Sequence, residues 1–302
     1  MILTVTYNPA VDQTITFDEP LEPEVVNRAT DARFDAGGKG INVSQFLTEM
    51  DTETLATGLL GGFTGTFITD QLADTSIPTD FVELDEPTRL NTTALAAGTE
   101  YKMNQNGPSV GADVVEDLVA TIADRDPDRV LVGGSLPPGL TTDAIDRVTS
   151  AGSWQTAVDV SGDLLRELSA EYALCKPNRE ELAEATDMAV ETIEACATAA
   201  ASFRDQGFER VVASLGPDGA VLAGPDGIVH AKPPAVDVVD TVGAGDALLS
   251  GVLAALERGD SDELALATGV TVAAHVVEQA GTGVPALDSV FEERTAVETR
   301  WL

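Results

Sequence analysis

Short apolar, β-branched runs alternate along this chain with longer stretches whose apolar residues return every three or four positions. The first kind predicts strands over 2–7 (ILTVTY), 54–60, 129–134, 156–160, 173–177 and 210–216. The second predicts helices over 41–50, 112–125, 142–151, 179–186 and 192–207, with three more near the end over 243–258, 261–280 and 286–297. Strands that are apolar throughout and separated by amphipathic helices belong in a parallel sheet covered on both faces.

Two segments break the alternation. Residues 13–36 and 88–107 carry strand-like runs split by turns, with no helix between, and each lies beside a glycine-rich or charged loop. Together they predict a small β-sheet standing apart from the main one, as a lid on a single domain spanning residues 1–302; two hairpins without a role are the alternative. No internal repeat or low-complexity linker interrupts the chain.

Composition adds one fact that the pattern does not carry. The chain has 51 acidic and 17 basic residues, a formal net charge of -34, and only four lysines: Lys39, Lys102, Lys176 and Lys232. The acid is spread through the predicted helices, which is the arrangement of a solvated surface working in high salt, where screening weakens self-repulsion; a specific basic partner is the alternative. Such a chain repels nucleic-acid phosphates. No apolar run reaches the length of a membrane span. The first residues, MILTVTYNPAVD, lack the basic start of a signal peptide and read as a strand. Two cysteines, Cys175 and Cys196, supply neither a disulfide framework nor a zinc site and are expected to be buried thiols in a cytoplasmic protein. Of the two histidines, neither lies near a motif, and His275, set among apolar neighbours, is expected to pack.

Three motifs carry chemistry. In VDVVDTVGAGDALLSG an apolar run ends near Val239, a Gly-Ala-Gly turn follows, and an apolar helix opens at Ala247. A glycine turn at a helix N-terminus gathers free N–H groups and positive dipole for an anion. Asp246 repels phosphate but suits the acceptance of a substrate hydroxyl proton during phosphoryl transfer; it would equally serve as a helix cap. Neither GxxxxGK[ST] nor GxGxxG is present, because Gly40 follows Lys39 and Leu248 stands where a third glycine would fall. In DAGGKGINVSQFL, Gly37, Gly38 and Gly40 surround Lys39 at a helix start, with Asn42 on the first turn, a pattern for gripping a polar ligand. In CKPNREEL, Asn178 and Glu181 share one side of a first helical turn, where they could position a metal or form a capping box.

Taken in this order, the motifs resemble those of the PfkB carbohydrate kinases, the ribokinase-like family, from Tyr7 to about Gly283. GGKGINVS (37–44) is similar to the family's first signature, DTVGAGDALLSG (240–251) to its second, and Asn178 with Glu181 to its NxxE motif. The resemblance implies a three-layer α/β/α sandwich with a mostly parallel central sheet and a β-lid. NPAVD, TRLN, GGSLPPG, VDVSGDLL and SLGPDGA look like the branch of 1-phosphofructokinases, tagatose-6-phosphate kinases and minor 6-phosphofructokinases. That implies ATP and Mg²⁺ as cofactors. Asp246 would be the base, and Gly243, Ala244 and Gly245 the anion hole. Asp12, Gly38, Lys39 and Asn42 would hold the sugar, and Arg89 would face the substrate phosphate, with Arg28 and Lys102 beside it. Ser214, Leu215, Gly216, Pro217, Asp218, Gly219 and Gly245 would lie along the nucleotide, with Lys176, Asn178 and Glu181 serving phosphate and metal, the last two through water.

Lys39 stands where the minor 6-phosphofructokinase branch usually has glycine, and Val26 where it usually has lysine. The substrate the resemblance favours is therefore fructose 1-phosphate, ahead of fructose 6-phosphate, tagatose 6-phosphate and an unphosphorylated sugar or sugar acid. A non-catalytic sugar-phosphate sensor on the same fold is the reading from another class, and a homodimer through the exposed lid face is the expected assembly.

Overall fold

The computed structural model describes residues 1–279, 281 and 283–302. Its main sheet has ten strands: β1 (Ile2–Thr6), β4 (Thr54–Gly61), β5 (Thr79–Leu84) and β8 (Arg129–Gly133), then β9 (Gln155–Asp159), β10 (Tyr172–Cys175) and β11 (Phe208–Ser214), and finally β12 (Ala220–Gly224), β13 (Gly227–Lys232) and β14 (Glu298–Trp301). In space the order is β14-β13-β12-β11-β10-β9-β8-β1-β4-β5, parallel from β5 to β11 and antiparallel from β11 to β14. A four-stranded sheet stands apart, formed by β2 (Ala10–Phe17), β3 (Asp31–Gly37), β6 (Arg89–Ala96) and β7 (Thr99–Met103) in the order β3-β2-β6-β7.

Helices cover both faces of the large sheet. On one side lie α3 (Ala112–Arg125), α4 (Asp143–Thr149), α5 (Gly162–Glu167), α6 (Arg179–Thr186) and α7 (Ile193–Arg204). On the other lie α1 (Lys39–Glu49), α8 (Ala244–Glu257), α9 (Asp262–Val277) and the short α10 (Val290–Glu293). The alternation of strand side chains divides the core accordingly: Leu3, Val130 and Val158 face the first set, Ile2, Leu131 and Ala157 the second. A third cluster packs α2 (Gly62–Ala73) through Ile68 and Leu72 against Val11 and Ala36 at the root of the small sheet. Cys175 and Cys196 are free, buried thiols of the first core.

The small sheet has two unlike faces. Cross-strand register puts Asp35, Asp12 and Asn91 in one row and Arg33, Thr14, Thr93 and Lys102 in a second on the same face. The opposite face carries Phe34, Tyr101 and Met103, all exposed. The polar face turns toward the main body. The Arg33 guanidinium lies 3.4 Å from where a Cβ on Gly281 would stand, and the charge of Lys102 helps hold Asp240 ionised.

The ends of the chain differ from expectation. The helix expected over 286–297 is only α10 followed by a 3-10 turn, Arg294–Ala296, because the chain must then extend to pair β14 with β13. The helix expected over 261–280 ends at Val277; residue 280 lies outside the described residues. His275 does not simply pack: its Nε2 donates to Glu293 Oε2 at 2.6 Å and ties α9 to α10.

Candidate active site

The carboxyl ends of β1, β8, β9 and β10 open toward the N-termini of α1 and α8, and the polar side chains there converge. Gly243 starts α8 with φ +80°, a left-handed turn that glycine adopts without strain. The first turn of a helix has N–H groups with no intrahelical acceptor. At the next glycine, Gly245, a Cβ would meet Lys176 Nζ at 3.4 Å, so an ammonium lies directly beside this turn. Bare backbone, helix dipole and ammonium together make a cradle for phosphate.

Asp246 follows on the buried side of α8. Its Oδ2 accepts from Asn42 Nδ2 on α1 at 2.8 Å, so it does not act as a helix cap; the N-cap position belongs to Gly243. Burial raises its pKa, and the nearby Asp159 charge adds to this; Lys39, Asn42 and Lys176 pull the other way without cancelling it. Lys39 Nζ bonds Asp159 Oδ1 at 2.7 Å, and Lys176 Nζ lies 3.3 Å from Asp159 Oδ2. Burial alone would lower the pKa of Lys39, but Asp159 and Asp246 outweigh it and the net shift is upward.

Asp12 lies at the floor of the small sheet. A Cβ on Gly37 would collide with its Oδ2, so glycine is what makes room for this carboxylate. Asn91, its neighbour across β2 and β6, donates to Asp12 Oδ1 at 3.0 Å. Burial raises the pKa of Asp12, opposed by Asn91 and Arg89. Arg89 forms no ion pair among the described residues. Its guanidinium donates to the backbone carbonyls of Asn8 (2.9 Å), Gln105 (3.3 Å) and Pro9 (3.4 Å), which fix its plane while leaving its charge without a bonded counter-ion.

A cavity of about 1100 Å³ extends from Ala244 and Gly245 to Ser214 and the loop that follows β11. Of the residues expected along a nucleotide, Ser214, Leu215, Gly216, Pro217 and Gly219 line it. Lys176 and Asp218 do not. The Asp218 carboxylate bonds Arg179, which itself lines the cavity, at 2.6 Å, and the Asp218 carbonyl accepts from His230 Nε2 at 2.7 Å, so these two side chains brace the loop. His230 therefore belongs beside the site after all. The apolar wall comes from Val270, Ala274 and Val277 of α9 and from Val297 near the C-terminus, residues without any motif.

Asn178 and Glu181 form a reciprocal capping box on α6: Asn178 Oδ1 accepts from Glu181 N at 2.9 Å and Glu181 Oε2 from Asn178 N at 2.8 Å. This engages the single side-chain oxygen of Asn178 and one of the two of Glu181. Among the described residues no cluster of three or more His, Cys, Asp or Glu could hold a metal. Arg28 is exposed on the loop between β2 and β3, and Lys102 pairs with Glu100 at 3.4 Å; neither bonds a site residue among those described. Asp159, on which both lysines of this cluster converge, was singled out by none of the three motifs. Its signal was present, as an acidic residue closing an apolar strand inside VDVSGDLL.

The sequence profile of the pfkB family carbohydrate kinases matches residues 5–289. The chain belongs to that family. It is 53% identical over 298 residues to a 1-phosphofructokinase of Haloferax volcanii, covering 99% of this chain and 98% of that one. It is 34% identical over 270 residues to a D-tagatose-1-phosphate kinase of Bacillus licheniformis, covering 86% of this chain and 87% of that one. The fold is similar to phosphofructokinase-2 of Escherichia coli in complex with potassium, with a TM-score of 0.89, 27% identity and 98% of both chains covered. The expected family and the layered α/β fold are thus those of the molecule, and no helix among the described residues is long and apolar enough to cross a membrane.

Proposed function

We propose that this pfkB kinase transfers the γ-phosphoryl group of ATP to fructose 1-phosphate, giving fructose 1,6-bisphosphate. The observation that carries this reading is the convergence of a buried, partnered Asp246 with a glycine cradle and two lysines, in a chain 53% identical to a 1-phosphofructokinase. The sugar lies between Asp12, Gly38, Lys39 and Asn42. Arg89, whose charge has no bonded carboxylate, faces the non-reacting phosphate. Asp246 receives the hydroxyl proton as the new P–O bond forms and the bond to the leaving diphosphate breaks. Its raised pKa suits a base that must hold that proton. Positioning and charge, more than covalent help, supply the rate of such a loose transfer.

The nucleotide occupies the cavity along Ser214–Gly219, its base against the apolar wall and its phosphates at Gly243–Gly245 above Lys176. The absence of a carboxylate cluster among the described residues fits Mg²⁺ arriving on the nucleotide, with Asn178 and Glu181 reaching it through water. When bound, the ion neutralises charge on the transferring phosphates. The small sheet acts as a lid of this single domain, excluding water through its polar face. Its exposed Phe34, Tyr101 and Met103 favour a homodimer through the opposite face. The net charge of -34 favours a salt-rich cytoplasm as the working environment.

A panel of fructose 1-phosphate, fructose 6-phosphate, tagatose 1-phosphate, tagatose 6-phosphate, fructose and ribose, assayed with MgATP in molar KCl, tests the reading. The highest kcat/KM falls on fructose 1-phosphate; a higher value on an unphosphorylated sugar would overturn it.

A further inference from the structure

Half of the four lysines in this chain meet at one carboxylate. Asp159 closes β9 and is 1% exposed, so no substrate can touch it. Lys39 is the first residue of α1, Lys176 follows the last residue of β10, and each brings its ammonium to a different oxygen of Asp159, at 2.7 and 3.3 Å. No other carboxylate among the described residues pairs with either lysine.

The two contacts are not equivalent. Oδ1 takes a hydrogen bond from Lys39, whereas buried Oδ2 has none and holds Lys176 by charge. An ammonium has three donors, and neither lysine spends all of them on Asp159. Lys176 also lies beside the Gly245 turn, where phosphate would sit, and Lys39 follows Gly38, one of the residues placed around the sugar. Two lysines and two aspartates, Asp159 and Asp246, balance the charge of the cluster. Removing Asp159 leaves both ammonium groups without their paired carboxylate.

We propose that Asp159 is a positioning residue that fixes Lys39 and Lys176 as one unit, so that a single buried carboxylate aims one ammonium at the sugar phosphate and the other at the nucleotide phosphates. The proposal rests on the kinase reading above. It differs from a purely structural role in its reach: a residue that touches neither substrate controls the affinity for both, each through a different lysine.

The test is calorimetry in molar KCl on the full chain, with fructose 1-phosphate and a non-hydrolysable ATP analogue titrated separately. Asp159→Asn should weaken both affinities, each by about tenfold, the usual scale for losing one charge-assisted contact. On a Lys39→Met background the same change should no longer affect fructose 1-phosphate, because its route is gone, while still weakening the ATP analogue. Loss of only one affinity in the single variant, or an undiminished loss for the sugar phosphate on the Lys39→Met background, overturns the proposal. If Asp159→Asn does not fold, Asp159→Glu, which keeps the charge but moves it by one bond, is put through the same comparison with the same two overturning results. Failure of the wild-type chain to bind fructose 1-phosphate would instead count against the substrate reading.

Discussion

The carboxamide of Asn42 donates to Oδ2 of Asp246 at 2.8 Å, joining the first turns of the two helices that frame the cleft. The bond favours the ionised carboxylate against the burial that disfavours it. Asp246→Asn should cut kcat by roughly 10²–10⁴-fold, the range for losing a general base. Because the folded state raises the pKa of Asp246, the stability this group contributes at low pH is lost as pH rises through its folded value. At neutral pH the Asn variant should therefore melt at the same temperature as the parent or above it. Near-normal kcat would return Asp246 to a structural role.

The same bond sets a pH dependence. A base must be deprotonated, so kcat/KM should fall as pH drops through the raised pKa of Asp246. Asn42→Ala removes a bond made to the charged form, and Lys39→Met removes the charge that most favours that form. The other charged groups facing Asp246, namely Asp159 and Lys176, stay in place. Both variants should move the acid limb of kcat/KM to higher pH; a limb that stays put or moves down would show that another group controls it.

How far the site could be read from sequence differs residue by residue. Gly243, Asp246, Lys39 and Asn42 announce themselves because a glycine turn or a scarce lysine at a helix start has few other uses. Asp159 does not, since one acid at a strand end looks like any other until the fold brings two lysines to it. Val270 and Val277 of the cavity wall are apolar residues of an apolar helix, indistinguishable in sequence from the core around them. Among the elements, α3 and α6 appear where their periodicity put them, whereas α2 starts on glycine and is rich in Thr and Phe, which hides its helical period. The β12–β13 hairpin went unread in spite of its Gly-Pro-Asp-Gly turn, because its strands are short and followed no helix, so the alternation that revealed the rest did not extend to them.

Arg89 is held by three backbone carbonyls and has no paired carboxylate among the described residues. Burial lowers its pKa and Asp12 opposes this. Arg89→Ala should raise KM for fructose 1-phosphate by roughly ten- to a hundredfold and leave KM for ATP nearly unchanged. Arg89→Lys should recover part of the loss, because an ammonium cannot reproduce the planar fork. An unchanged sugar-phosphate KM in the alanine variant would mean that the phosphate lies elsewhere.

The acidic surface gives a prediction about stability. With a net charge of -34, self-repulsion should be relieved by screening. Melting temperature, measured from low to molar KCl, should rise across the series; a flat curve would count against a salt-adapted surface.

Asp146 on α4 accepts from Ser169 Oγ at 2.7 Å, Ala170 N at 3.0 Å and the Tyr172 hydroxyl, pinning the approach to β10. Burial opposes its ionisation, but these bonds outweigh it and lower its pKa. A depressed carboxylate contributes stability above its unfolded pKa and loses it as pH falls through the folded one. Asp146→Ala should cost about 1–3 kcal/mol at neutral pH, and the gap between variant and parent should shrink in acid. A gap that does not change with pH would show that the carboxylate's charge is not what matters there.

The central claim is that Asp246 directs a phosphoryl group from ATP to the free terminal hydroxyl of fructose 1-phosphate. Phosphorus NMR of the reaction with MgATP in molar KCl tests it most directly, run for the wild-type chain and for Asp246→Asn. The account predicts ADP and a second phosphomonoester on the same sugar in equal amounts with the wild type, and almost none with the variant. ADP with inorganic phosphate in place of the bisphosphate, or equal product from both proteins, would contradict it.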